Sequence, residues 1–201
     1  CRRSCSADKQ IGAAVIHRVL RNEVEQSVGN ADSFLPEATS LANQDAEKLS
    51  VQLADTIRII GDHLASQRIL NDLIDGIPQP DERFLSKLAT KVFADGNVNW
   101  GRIVVLFYTV AKLAVKFVKA HFPESVQTVL RWTQTYFKEN LLNWIIQAGG
   151  WINSISEFTC LRMTGLPSLS ASQFLTTPVV LITVFACGFL LGAVWRICKN
   201  T

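Results

Sequence analysis

Two side chains of this sequence stand where a charge is best explained by another charge that meets it. Asn99 is a good N-cap, and as one it sets Arg102 in the first helical turn, where the positive end of the helix dipole disfavours a cation by about 0.3 to 1 kcal/mol. A carboxylate partner would explain a guanidinium there, whereas a local surface ion pair would contribute little. Asp62 lies beside an apolar ridge of Leu49, Leu53, Ile57, Ile60 and Leu64, with Gly61 open to close approach. A helix with such a ridge is either ordinary core or a segment that lies in the groove of another protein, and periodicity leaves both readings open. The chemistry on offer is recognition, not bond making. His17, His63 and His121 fall at unrelated spacings, no Cys-x-x-Cys or His-x-x-x-His suggests a metal, and no glycine-rich phosphate loop follows a strand. No enzyme activity, metal or cofactor is expected.

The elements that must position these residues read as helices throughout, because apolar positions recur at helical spacing and the breaks come at Gly, Pro, Asn and Asp clusters. A first amphipathic helix is expected from Asp8 to Val28, with Ile11, Val15, Val19 and Val24 inward, followed by a loop through Pro36. A second, from Asp45 to Ser66, carries the ridge and continues into a third that ends near Gly76. Ile77-Pro78-Gln79-Pro80 stops it, and Asp81 caps a fourth with Phe84, Leu88, Val92 and Phe93. The helix from Asn99 to His121 is apolar round most of its circumference, its polar side chains Arg102, Thr109, Lys112, Lys116 and Lys119 keeping to a narrow stripe, so it is read as the centre of a bundle. Pro123 separates it from a sixth helix through Leu141, inward at Val126, Val129, Leu130, Thr133, Tyr136 and Phe137. A further segment ends at Gly149-Gly150, where glycine can take the left-handed cap, and a short helix follows to Phe158. Trp100, Gly101, Gly149 and Gly150 are read mainly as packing residues, with direct ligand contact as the alternative.

No charged side chain lies between Arg162 and Arg196, and the stretch from Pro178 to Trp195 is almost wholly apolar. As a helix it spans about 27 Å, the short end of what a hydrocarbon core of about 30 Å requires, so it is expected to anchor the chain in a membrane, with Trp195 and Arg196 at the interface. A buried core helix is the alternative. Gly188-x-x-x-Gly192 would allow two anchors to pack closely. The expected organisation is a helical bundle over 1–158, a linker over 159–177 and the anchor over 178–196. At 201 residues, 48% hydrophobic and 18% charged, the chain suits one domain plus an anchor. A net charge of +3, without Lys/Arg runs interleaved with aromatics, speaks against a nucleic-acid groove. The five cysteines sit towards the two ends and describe no disulfide scaffold, which fits a reducing cytosol. The chain opens on Cys1, not Met, without an apolar signal region, and residues are expected to precede it.

Leu53-Ala54-Asp55-Thr56-Ile57-Arg58-Ile59-Ile60-Gly61-Asp62 resembles the third homology motif of the Bcl-2 family of apoptosis regulators. Asn99-Trp100-Gly101-Arg102 resembles the first motif of that family, and Trp144-Ile145-Ile146-Gln147-Ala148-Gly149-Gly150-Trp151 resembles the second. Three matches in order, ahead of an apolar tail, make the resemblance specific. Residues 93–108 and Lys112-Leu113 are similar to the pore-forming effectors of the family.

The resemblance implies an all-α Bcl-2-like bundle around a central apolar helix, with a surface groove and a tail anchor. It implies a death-motif helix of Leu49, Leu53, Ile57, Ile60, Gly61, Asp62 and Leu64, and a groove containing Asn99, Trp100, Gly101, Arg102, Trp144, Gly149, Gly150 and Trp151. In that picture Arg102 receives the Asp of an incoming helix, and Asp62, once released, supplies one to a neighbour. Membrane contact falls to Lys112, Lys116 and Lys119 and to Pro178, Gly188, Gly192 and Trp195. The implied function is pro-apoptotic: a cytosolic form converts to a membrane-inserted oligomer that permeabilises the mitochondrial outer membrane. The implied partners are death-motif-only activators, protective family members, further copies of the chain, and outer-membrane lipid. The alternatives are a protective member that captures death-motif helices in its groove, and a tail-anchored scaffold without pore activity.

Overall fold

The computed structural model describes residues 2–37, 40–65, 74, 82–94 and 96–155, and among these there are helices and turns but no strand. In chain order the helices are α1 (Arg2–Val28), α2 (Gln44–Ala65), α3 (Glu82–Val92), α4 (Trp100–Lys119), α5 (Glu124–Tyr136), a π turn (Phe137–Leu141), α6 (Leu142–Gln147) and α7 (150–155). The third helix expected to end near Gly76, the Ile77–Pro80 stop, Asp81 and the whole segment from 156 onward lie outside the described residues. Ile74 is described, and it is helical and buried.

The bundle is arranged around α4, which packs against α1, α2, α3 and α5. Its buried side chains point all round the axis, from Ile103 and Val104 through Phe107, Val110 and Leu113 to Phe117, so the apolar circumference seen in the sequence is the middle of the core. Asn99 caps it as expected: its backbone is extended at φ −149 and ψ 166, and its side-chain oxygen accepts the Arg102 amide. The far end stops earlier than the expected His121. His121 adopts φ 64, its N–H donates to the Val118 carbonyl at 3.1 Å, and the Phe122 N–H donates to the Phe117 carbonyl at 2.8 Å. These paired bonds satisfy the last carbonyls of the helix and turn the chain towards Pro123.

Two other boundaries differ from the sequence reading. α1 begins at Arg2, not Asp8. Asp8 is no cap for its own helix; it is buried inside α1 and bonds to α7 across the molecule. The helix expected to run unbroken to Leu141 instead changes to π geometry at Phe137, where the Leu142 N–H reaches back to the Phe137 carbonyl, five residues away. α2 starts within one residue of the expected place, capped by Asn43, whose side-chain oxygen accepts the Asp45 N–H at 2.8 Å. Asp45 and Glu47 in its first turn suit the helix dipole, and Glu47 also pairs with Arg18 of α1, tying the two helices at the surface.

Candidate functional site

The ridge of α2 faces inward. Leu49, Leu53, Ile57 and Ile60 are all buried and belong to the core cluster; the side chain of Leu64 lies outside what is described. Gly61 makes this seat possible, since a Cβ there would stand 2.0 Å from Cδ2 of Tyr108 on α4. Asp62, the next residue, leaves the apolar face, and its side chain is 45% exposed.

Three donors from its own bundle surround that carboxylate. The Tyr108 hydroxyl donates to Asp62 Oδ1 at 2.8 Å, Arg58 Nη1 lies 3.4 Å from Oδ2, and Lys112 Nζ lies 3.7 Å from Oδ1. Burial, and then the Asp62 hydrogen bond, push the Tyr108 phenol far above its ordinary value, so it remains a donor at any working pH. Lys112 also rides over the Tyr108 ring, 5.0 Å from its centroid, and its main ion pair is with Glu23 of α1 at 2.6 Å. Glu23 is 1% exposed.

At the N-terminal end of α4 the other motif residues gather. Trp100 meets Trp144 edge to face at 5.2 Å and Trp151 at 5.4 Å, and Phe137 adds a further ring 6.1 Å from Trp151. Such aromatic pairs add about 0.5–1.5 kcal/mol each beyond the area they bury. The Trp151 indole donates to the Asp8 carbonyl at 3.0 Å, and its backbone N–H donates to Asp8 Oδ1 at 3.1 Å. Gly149 and Gly150 take φ 96 and 79, the left-handed pair expected between α6 and α7. Gly150 also permits contact, because a Cβ there would lie 2.8 Å from Asp8 Oδ1.

Arg102 is 2% exposed and donates from Nη1 to the Asn97 carbonyl at 2.7 Å. Its guanidinium is therefore covered against an outside carboxylate in this arrangement. Tyr108 lies six residues further along α4, about 9 Å of helical rise, so Asp62 is seated on α4 well beyond the turn that carries Arg102. Gly101 is half-buried in the first turn of α4.

The structure thus groups the site residues into two assemblies: Gly61 and Asp62 on one stretch of α4, and Asn99, Trp100, Arg102, Trp144, Gly149, Gly150 and Trp151 around its start. Of the lysine stripe, Lys112 pairs with Glu23, Lys116 Nζ donates to the Ile74 carbonyl at 2.7 Å, and Lys119 is exposed. Pro178, Gly188, Gly192 and Trp195 lie outside the described residues. No described helix is long and apolar enough to cross a membrane, and no described group of His, Cys, Asp and Glu could hold a metal ion.

The sequence reading missed Asp8, Glu23 and Tyr108. Glu23 carried a usable signal: it continues the inward series of Ile16 and Leu20 by three residues, a carboxylate on the apolar face of α1.

Residues 41–151 match the model of the family described as apoptosis regulator proteins, Bcl-2 family. The chain is 31% identical over 182 residues to apoptosis regulator BAX of Mus musculus, covering 89% of this chain and 85% of that protein. With Bcl-2-like protein 1 of Homo sapiens the identity is 32% over 100 residues, 47% of this chain and 42% of that one. Among solved structures, chicken BOK superposes with a TM-score of 0.59 at 19% identity, covering 75% of this chain and 96% of BOK. Trichoplax adhaerens trBcl-2L2 bound to trBak BH3 gives 0.56 at 20% identity, covering 73% and 98%. At these identities the two structures show a shared fold.

Proposed function

This chain belongs to the Bcl-2 family of apoptosis regulators, and on that premise we propose that it is a Bax-like effector, which leaves a cytosolic form for the mitochondrial outer membrane, self-associates there and permeabilises it. The reading rests on how far the likeness to BAX extends: 89% of this chain and 85% of that protein, against 47% and 42% for Bcl-2-like protein 1.

The packing suits the closed state of such a switch. Exposing Leu53, Ile57 and Ile60 to water would cost about 1.5–3 kcal/mol for each side chain, so α2 stays seated until another apolar surface takes its ridge. A triggering death-motif helix acts by binding the opened form better than the closed one, which shifts the population. In the opened form Asp62 exchanges Tyr108 and Lys112 for the Arg102 of a neighbour. Both charges of that exchange start out engaged within their own bundle. The apolar segment over 178–196 serves as the tail anchor, and the α4 lysines turn towards headgroups once the bundle opens. Partners of this cycle are death-motif-only activators, protective family members and further copies of the chain; the role is regulatory and not enzymatic.

A protective role is the second reading, favoured by the shared fold with trBcl-2L2, a protein solved with the trBak BH3 segment bound. Dye release from liposomes of mitochondrial outer-membrane composition, with and without a death-motif peptide, separates the two. Leakage triggered by the peptide and abolished by Arg102→Glu is the expected result. Tight peptide binding without leakage would establish the protective role instead.

A further inference from the structure

Lys112 lies between two carboxylates that belong to different helices. Its Nζ is 2.6 Å from Glu23 of α1 and 3.7 Å from Asp62 of α2. Glu23 is 1% exposed, and among the described residues neither of its side-chain oxygens accepts a hydrogen bond from anything else. A carboxylate buried to that degree depends on its counter-charge, because removing the partner leaves an uncompensated ion in a medium that solvates it poorly. Asp62 has alternatives: water, since its side chain is 45% exposed, the Tyr108 hydroxyl and Arg58. The ammonium is accordingly drawn to the carboxylate that needs it more and held away from the other.

We propose that Glu23 is a positioning residue that competes with Asp62 for Lys112, so that α1, while docked, keeps the death-motif carboxylate only partly paired and ready to exchange partners. Within the effector reading on which this rests, the competition gives α1 and α2 opposite claims on one cation. When either helix leaves, Lys112 passes wholly to the other and holds it more firmly. The sequential undocking of α1 and α2 is therefore opposed by the ion pair, and the two helices do not fall away together.

Hydrogen exchange on the full chain in the absence of membranes tests this without reference to pore activity. Glu23→Gln removes the competing charge and keeps the side-chain volume. It is expected to slow exchange at the α2 amides around Asp62 by about threefold or more, a typical coupling for charges in one network, and to raise the peptide concentration needed for leakage. Asp62→Asn is the reciprocal test, with slower exchange expected at the α1 amides around Glu23. Lys112→Met should speed exchange in both helices. Unchanged or faster α2 exchange in Glu23→Gln, with circular dichroism showing a folded chain, would overturn the proposal. So would unchanged α1 exchange in Asp62→Asn. If the exchange changes appear but the wild-type chain never leaks, the competition stands and the effector reading fails. If the wild-type chain leaks and exchange does not change, the reverse holds.

Discussion

Two corners of the bundle are assembled from the same three kinds of residue, and they behave oppositely. At one, Gly61 lets α2 close onto the ring of Tyr108 and Asp62 takes the phenol hydroxyl. At the other, Gly150 lets α7 close onto α1, and Asp8 takes the amide of Trp151. The difference lies in what the carboxylate binds. Asp8 is 7% exposed and bonds to a backbone amide, whose position is fixed by the chain and which has no other partner to turn to. Asp62 is half exposed and is met by a phenol, a guanidinium and an ammonium, all carried on side chains that can swing or be replaced. A carboxylate held by main chain makes a permanent joint, and one held by side chains makes a joint that can trade partners.

The contrast breaks most visibly at the tryptophan corner. Trp151→Ala removes a fully buried indole that touches Trp100 and Phe137, and should lower the free energy of unfolding by about 3–5 kcal/mol in urea titrations. A loss below about 1 kcal/mol would mean that the corner is no permanent joint. Gly61→Ala tests the other side: its Cβ would overlap the Tyr108 ring, and moving the ring should cost about 1–3 kcal/mol. The expected signature is faster hydrogen exchange in α2, with the fluorescence of the tryptophan cluster unchanged; altered tryptophan emission would show that the corners are not independent.

The smallest effect concerns His17, which belongs to neither corner. Its Nε2 donates to the Pro36 carbonyl at 2.7 Å, and burial is the first cause of a pKa held below the ordinary 6.5. The folded state therefore favours the neutral ring. Stability from this group is fully present above about pH 6.5 and is lost as pH falls through the lower folded value, with a slope of at most about 1.4 kcal/mol per pH unit. Comparing urea midpoints at pH 7.5 and 5.5 for the wild type and His17→Gln should show a smaller drop in the variant; equal drops would assign the pH dependence to other groups.

How much of this was legible in the sequence follows from the range of the forces involved. Asn99 as a cap, α4 as the central helix, the left-handed glycines and the inward ridge of α2 all follow from residues within a turn or two of one another, and local pattern suffices for them. Asp8 misled because an Asp ahead of an apolar series reads as a cap, while its actual partner, Trp151, is 143 positions away. Glu23 was passed over for the same reason: an acidic residue on a helix reads as solvated until the lysine that neutralises it is brought in from α4. Arg102 was read as asking for a carboxylate, and in this conformation it has at least the Asn97 carbonyl, supplied by the chain just ahead of its own helix.

The π turn at Phe137–Leu141 has a consequence for chain length. Val126 and Ile145 are both buried although nineteen positions separate them, and at about 100° per residue an unbroken α-helix would leave the later side chain about 100° out of phase. A π turn contains one residue more than an α turn, so it returns that rotation and brings Ile145 back to the bearing of Val126. A chain one residue shorter within 137–141 would run through in plain α geometry and arrive at α6 in the same orientation. In this segment, and only because of that turn, an insertion or deletion of a single residue between related chains is absorbed without displacing anything that follows.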